Sequence, residues 1–97
     1  MAKVELIVSV TARDGKAADL KRELQRMLAP THAEAGCEFY RLYESEKPGR
    51  FFFHELWTSQ SSLDAHVNSP HFQRLKEVLP GLIQGELDVH KVKEVEE

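Results

Sequence analysis

The run of aromatic residues RFFFHELWTS, from Arg50 to Ser59, predicts a β-strand that is apolar on both of its faces. Side chains alternate between the two faces of a strand, so one face carries Phe51, Phe53, Glu55 and Trp57, and the other carries Phe52, His54 and Leu56. Helices packed on one face would leave the other face wet, and large exposed apolar patches usually mark an interface or a pocket. A dimer that stacks two sheets face to face would cover the second set and enclose a cavity.

The segments before this strand alternate between strand and helix signals. The β-branched run VELIVSV (residues 4–10) ends at the turn signal ARDG and predicts a first strand. From Lys16 onward apolar residues recur at helical spacing, and Pro30 either kinks this helix or ends it, with Gly36 as an alternative stop. Residues 37–45 alternate again, and the turn EKPG joins them to the aromatic strand as an antiparallel hairpin.

The C-terminal third predicts two short helices and a closing strand. Ser59 is a candidate N-cap for the first helix, and Pro70 fits the first turn of the second. Pro80-Gly81 ends that helix, residues 86–95 form the last strand, and the acidic tail 94–97 is expected to fray. The order β-α-β-β-α-β predicts an α+β, ferredoxin-like split βαβ fold with an antiparallel sheet, as a single domain over residues 1–97.

Composition narrows the function classes. The chain of 97 residues is 41% hydrophobic and 30% charged, which is typical of a globular domain and argues against disorder. Its formal net charge is −3 and its basic residues are scattered, so we expect no nucleic acid or membrane partner. Cys37 is the only cysteine, which excludes an intrachain disulfide, and the amino terminus lacks signal-peptide features. These points favour the cytoplasm.

Three short motifs carry a family resemblance: Glu55-Leu-Trp57-Thr-Ser59, Leu63-Asp-Ala-His66 and Pro70-His71-Phe72. Together with ARDGKAADL after the first strand and EAGCEFYRLY before the hairpin, they resemble the antibiotic biosynthesis monooxygenase (ABM) family, and within it the small bacterial quinol monooxygenases. The resemblance covers nearly the whole chain. It implies a homodimer forming a dimeric α+β barrel, and oxygenation of a small aromatic substrate by dioxygen without a cofactor.

The resemblance leaves other activities open. Relatives also include isomerases, so an isomerase or lyase for a small carbonyl metabolite is one alternative, and a non-catalytic module that binds an aromatic ligand is another. Haem degradation is disfavoured, because the positions that carry a haem-binding histidine and an asparagine in such relatives match Lys76 and Val8. One fold can carry many different activities, so the choice between these activities depends on the chemistry of the candidate site residues.

Two histidines, His66 and His71, stand five residues apart in the stretch DAHVNSPHF. Five residues correspond to about 140° of rotation on a helix, whereas metal-binding pairs usually stand four residues apart on one face. Pro70 interrupts the helix between them, and no cysteine lies nearby to complete a familiar zinc set. We therefore expect no metal site, which leaves structural histidines or catalytic bases as the alternatives.

Oxygenation without a cofactor needs a substrate that itself reduces dioxygen, and a hydroquinone becomes such a reductant when it loses a proton. Phenols resemble tyrosine, with a pKa of about 10, so a histidine base needs a site that stabilises the anion. The candidate bases are His66, His71 and His54, and the resemblance places His66 first, on the helix beside the pocket. Arg41 is a candidate for holding the developing negative charge.

The other candidate substrate-binding residues are Trp57, Glu55, Phe53, Phe72 and Val8. Trp57 either packs in the core or at a dimer interface, or forms a cavity wall that stacks on the substrate, as the matching tryptophan does in characterised relatives. Glu55 shares the face of Trp57, where a covered carboxylate needs a partner. Either Arg41 or His66 pairs with it, or it orients a catalytic histidine.

Overall fold

A four-stranded antiparallel sheet forms the frame of the molecule in the computed structural model, which describes residues 2–97. The strands are β1 Val4–Thr11, β2 Cys37–Glu44, β3 Arg50–Trp57 and β4 Asp88–Val92. The helices are α1 Ala17–Gln25, α2 Leu28–His32, α3 Gln60–Val67 and α4 Pro70–Val78, followed by a 3-10 turn at Leu79–Gly81. The sheet order β2-β3-β1-β4 confirms the α+β ferredoxin-like fold predicted from the sequence.

The aromatic strand β3 lies at the centre of the sheet, between β1 and β2. Val8 lies opposite Phe53 on β3, and Tyr40 on β2 lies opposite Glu55, so these side chains share one face of the sheet. That face packs against the helices through fully buried Leu20 and Leu24 of α1. The alternation predicted for β3 is confirmed, because Phe51, Phe53, Glu55 and Trp57 are all buried.

The opposite face of the sheet, here called the outer face, remains only partly covered. Phe52, His54 and Leu56 are half-buried, while Ile7 of β1 and Tyr43 of β2 are 38% and 50% exposed. This face therefore retains the apolar surface that the sequence predicted. Within residues 2–97, no helix has the length and apolar character required to cross a lipid bilayer.

The predicted turn and cap signals define the helix boundaries. The first helical region breaks at Arg26 and Met27 rather than at Pro30, because a proline ring clashes with the carbonyl four residues before it, here that of Arg26. Pro30 then lies in the first turn of α2, where a missing N–H is tolerated. The last strand is shorter than predicted: β4 covers Asp88–Val92 instead of residues 86–95.

Candidate active site

A cavity of about 150 Å³ lies between the helix-covered face of the sheet and helices α3 and α4. Its apolar walls come from Leu6, Val8, Phe53, Leu63, Phe72 and Leu75. Three residues with polar atoms also line it: Tyr40, Glu55 and His66. The cavity opens beside β4, where Val89 is 53% exposed and Val67 of α3 is 36% exposed. The arrangement suits a small, largely apolar ligand that is recognised by few polar groups.

Helix α3 places His66 in this cavity wall. Ser59 caps the helix, and its hydroxyl accepts a hydrogen bond from the backbone N–H of Ser62 at 3.2 Å. His66 lies in the last turn of α3 with 1% of its surface exposed. Its ring centroid is 4.6 Å from that of Trp57 and 5.1 Å from that of Phe72, so aromatic packing fixes the imidazole.

Glu34, in the loop between α2 and β2, joins the two histidines of the DAHVNSPHF stretch. Nδ1 of His66 donates to Oε2 of Glu34 at 2.6 Å, and Nε2 of His71 donates to the same oxygen at 2.9 Å. The ligating atoms of the three residues all lie within 4.8 Å of one another. Glu34 and His71 are half-buried, with side-chain exposures of 17% and 20%.

This convergence corrects the expectation that five-residue spacing keeps the two histidines apart. That expectation assumed one continuous helix, whereas the chain turns between α3 and α4 at Asn68 and Ser69. The Ser69 hydroxyl donates to the carbonyl of His66 at 2.6 Å and accepts from the N–H of Phe72 at 3.2 Å. The turn brings the start of α4 back beside the end of α3, so the angular argument for a straight helix does not apply.

Burial and the Glu34 carboxylate act on His66 in opposite directions. Burial lowers the pKa of His66 below its usual value by disfavouring the imidazolium, while the hydrogen bond and charge of Glu34 oppose the shift. Burial has the larger effect, so the ring is neutral at neutral pH and able to accept a proton. The hydrogen bond to Glu34 occupies Nδ1, which leaves Nε2 as the basic nitrogen.

Glu55 is the second titratable group in the cavity wall. Only 4% of its surface is exposed, and its Oε1 accepts a hydrogen bond from the indole Nε1–H of Trp57 at 2.9 Å. Burial raises the pKa of Glu55 to about 7, against the opposing effect of that hydrogen bond. Its hydrogen-bond partner is thus Trp57, rather than the expected Arg41 or His66, and the indole N–H is engaged by Glu55 instead of facing a ligand.

Arg41 and His54 lie on the outer face of the sheet, so the structure does not bring these two candidates together with His66 in this cavity. The two are directly opposite on β2 and β3, and strand alternation turns them away from neighbouring Tyr40 and Glu55. His54 pairs with Glu5 at 2.6 Å, and the Arg41 guanidinium lies 4.1 Å from the ring centroid of Phe39. Neither lines the cavity.

The remaining candidates divide between the cavity wall and its surroundings. Val8, Phe53, Phe72, Glu55 and His66 line the cavity, whereas Trp57 is fully buried behind Glu55 and His66. His71 borders a separate surface groove lined also by Arg26 and Arg74. Sequence reasoning missed Glu34, which carries no local signal, and Tyr40, which the alternation of β2 could have assigned to the helix-covered face.

Comparison with known proteins agrees with this fold. Residues 4–78 match the model of the family described as antibiotic biosynthesis monooxygenase. A Mycobacterium tuberculosis protein named "Putative monooxygenase Rv0793" is 38% identical over 69 residues, which cover 71% of this chain and 68% of that protein. The Synechocystis protein sll1783 is 32% identical over 74% of this chain, and the match spans about half (51%) of that protein.

Solved structures extend the similarity over the whole chain. The crystal structure of PA3566 from Pseudomonas aeruginosa is 31% identical with a TM-score of 0.92, covering 99% of this chain and 97% of that one. The structure of the Mycobacterium tuberculosis protein Rv0793 gives a TM-score of 0.91 at 30% identity, covering 99% of this chain and 98% of that one. With the family model matched over most of its length, this chain belongs to the antibiotic biosynthesis monooxygenase family.

Proposed function

We propose that this protein is a cofactor-independent monooxygenase that oxidises a quinol or a related electron-rich phenol with dioxygen, and that His66 is its general base. The observation that carries the proposal is the 2.6 Å hydrogen bond between Nδ1 of His66 and Glu34. It fixes the tautomer of a histidine that lines an apolar cavity, and so leaves Nε2 to take a proton from the substrate. Family membership supports the same reaction class.

The reaction begins with proton transfer from the phenolic hydroxyl to Nε2 of His66. The phenolate then gives one electron to dioxygen, and the resulting semiquinone and superoxide radicals combine at a ring carbon. The His66 imidazolium returns its proton to the peroxide formed there, and loss of water from the resulting hydroperoxide leaves a quinone that has gained one oxygen atom, while the second oxygen atom leaves as water. The substrate supplies both electrons that reduce this second atom, so the step balances without another reductant.

Glu55 supports this chemistry through its raised pKa. With a pKa of about 7, the carboxyl is protonated in part of the molecules at neutral pH and can donate a hydrogen bond to a substrate oxygen. The apolar walls keep water away from the radical pair and strengthen electrostatic interactions inside the cavity. In this proposal His66 takes the proton, and Glu55 stabilises the oxygen that bears the developing charge.

The cavity volume favours a single-ring substrate. A dry engineered cavity of about 150 Å³ binds benzene, and the cavity here has about the same volume. A larger substrate would extend through the mouth beside Leu87 and Val89 of the C-terminal segment. Single-ring quinols are therefore the first compounds to test, followed by naphthols with a second ring in that opening.

The test is oxygen uptake by chelator-treated protein with this panel, corrected for autoxidation, with product masses measured under ¹⁸O₂. We expect protein-dependent uptake and one labelled oxygen atom in the product. His66→Asn should lower kcat by about 100-fold or more, as loss of a general base does, whereas His90→Asn on the exposed edge strand β4 should retain activity. Full activity in His66→Asn would reject His66 as the base.

A second candidate function is an isomerase or lyase acting on a small carbonyl metabolite. It is favoured by the presence of two titratable groups, His66 and Glu55, in one cavity, since such a pair can remove and return a proton. Deuterium exchange or isomerisation of a substrate without oxygen consumption would favour this function. A ligand that binds without turnover would instead indicate a binding module.

We propose that the working form is a homodimer, formed through the outer face. The support is the exposed apolar surface there, including Ile7 and Tyr43, together with the sequence resemblance described above, which implies a homodimer. Sedimentation at micromolar concentration should give the mass of two chains, and Ile7→Lys should shift it toward one. A single-chain mass for the wild type would reject the dimer.

The lone Cys37 is compatible with the cytoplasm, the compartment we propose.

A further inference from the structure

We propose that Glu34, His66 and His71 form a binding site for a divalent first-row transition cation, with Zn²⁺ as the preferred ion. The donor atoms are Nδ1 of His66, Nε2 of His71 and a carboxylate oxygen of Glu34, all within 4.8 Å of one another. Two histidines and one carboxylate are a donor set that binds zinc and other first-row ions while leaving a coordination position open. The proposal that these side chains bind a cation does not depend on the proposed oxygenase function.

The spacing of the donors is close to that of a metal site. Ligands in a tetrahedral zinc site lie at about 2.0–2.1 Å from the ion and thus roughly 3.3 Å from each other. Here Oε2 of Glu34 lies 2.6 Å from one ring nitrogen and 2.9 Å from the other. The two ring nitrogens lie within 4.8 Å of each other, so small shifts of the three side chains would bring their donor atoms around a cation.

The surroundings of the three side chains support binding. A carboxylate oxygen between two imidazole nitrogens attracts a cation. The side chains of Glu34 and His71 are 17% and 20% exposed, so an ion reaches them from the surface rather than through the cavity. Arg26 and Arg74, which lie in the groove beside His71, both pair with Glu23, and this reduces their repulsion of an incoming ion.

Bound Zn²⁺ would inhibit the reaction proposed above, and this consequence rests on that proposal. A metal ion at Nδ1 displaces the ring proton, which a neutral imidazole then carries on Nε2. His66 would have no basic nitrogen left for the substrate. His66 thus acts either as a general base oriented by Glu34 or as a metal ligand together with Glu34 and His71. The free Zn²⁺ concentration determines which of the two states is populated.

Calorimetric titration of chelator-treated, dialysed protein with Zn²⁺, in the presence of a competing chelator, tests the site. We expect one ion per chain with a Kd of about 1 μM or tighter. Glu34→Gln and His71→Asn should each weaken binding by more than about 100-fold, since even loss of a second-shell group costs 10- to 100-fold. His90→Asn, which removes an exposed histidine elsewhere, is the matched control and should bind as the wild type does.

Spectroscopy gives a readout that does not depend on activity or on Zn²⁺ affinity. Co²⁺ should develop visible absorption bands of a low-coordinate site in the wild type and not in His71→Asn. Nitrogen-15 spectra should show that Zn²⁺ moves the proton of His66 to Nε2. Zn²⁺ binding by the folded wild type no tighter than about 1 mM would overturn the proposal. Equal Zn²⁺ affinity of the folded wild type and the folded His71→Asn variant would also overturn it.

Activity measurements separate the two proposals. Zn²⁺ should suppress oxygen uptake by the wild type and leave the fractional activity of His71→Asn unchanged. Zn²⁺ binding without turnover of any substrate would support the metal site and reject the oxygenase. Oxygen-dependent turnover by a protein that binds no Zn²⁺ would support the oxygenase and reject the metal site. Activation of turnover by Zn²⁺ would reject both the proposed inhibition by Zn²⁺ and the proposal that the oxygenase needs no cofactor.

Discussion

Glu55→Gln tests the buried carboxyl, and we expect it to remove a large pH dependence of folding stability. Glu55 is 4% exposed, and burial raises its pKa from 4.5 to about 7 in the folded protein. Between these two values the folded state binds more protons than the unfolded state. Stability from this group is therefore fully present below about pH 4.5 and is lost as the pH rises through about 7.

The size of this stability change follows from the difference between the pKa values of Glu55 in the folded and unfolded states. About 2.5 pKa units correspond to about 3 kcal/mol over the whole interval. About 2 kcal/mol of this falls between pH 5.5 and pH 8.5, because part of the loss occurs below that window. Glutamine retains an oxygen that can accept from the indole of Trp57 and carries no charge at either pH, so the variant lacks this loss.

Urea unfolding of both proteins at about pH 5.5 and 8.5 measures the effect. The free energy of unfolding of Glu55→Gln, relative to wild type, should rise by about 2 kcal/mol between the two pH values. Glu46→Gln, in the exposed turn between β2 and β3, is the matched control. A relative stability that stays constant within about 0.5 kcal/mol would refute the raised pKa, and carbon-13 titration of the carboxyl would check it directly.

Three further substitutions, measured by urea unfolding, test the contacts that position Glu55 and helix α3 around the cavity. Trp57→Phe should lower the free energy of unfolding by about 1–3 kcal/mol, because the buried carboxyl of Glu55 loses the hydrogen bond that the indole N–H donates. Gly36→Ala should cost about 1–3 kcal/mol, because a Cβ there would lie 2.1 Å from Oγ of Ser62 in α3. Ser59→Ala should cost about 1 kcal/mol, since it removes the N-cap of that helix.

Gly36→Ala has two control variants, and each of the other two predictions has an outcome that would contradict it. Gly81→Ala introduces the same methyl group where nothing lies within 4 Å, so it should be close to neutral, and Ser62→Gly should relieve the cost of Gly36→Ala. Trp57→Phe at unchanged stability would mean that the indole hydrogen bond contributes little. A Ser59→Ala variant as stable as wild type would show that packing alone holds α3.

Local rules predicted most of the elements. Alternation of apolar residues assigned the faces of β3 correctly, since Phe51 and Trp57 are buried and Phe52 is not. Cap chemistry placed the starts of α3 and α4, because Ser59 and Pro70 supply what a helix start needs within one turn. The end of the sequence was harder to assign: β4 is an edge strand with no buried residue, so its pattern carries little information about its length.

The sequence alone determined the order of strands and helices and the apolar character of both sheet faces, and the family resemblance placed His66 on a helix beside the pocket. Only the tertiary structure decided that Glu34 meets both His66 and His71, across separations of 32 and 37 residues. Strand and helix periods describe neighbours along the chain, whereas this contact depends on the turn between α3 and α4 and on how both helices pack against the sheet. The physical reason is that propensity and periodicity act locally, while a site is assembled by packing between distant segments.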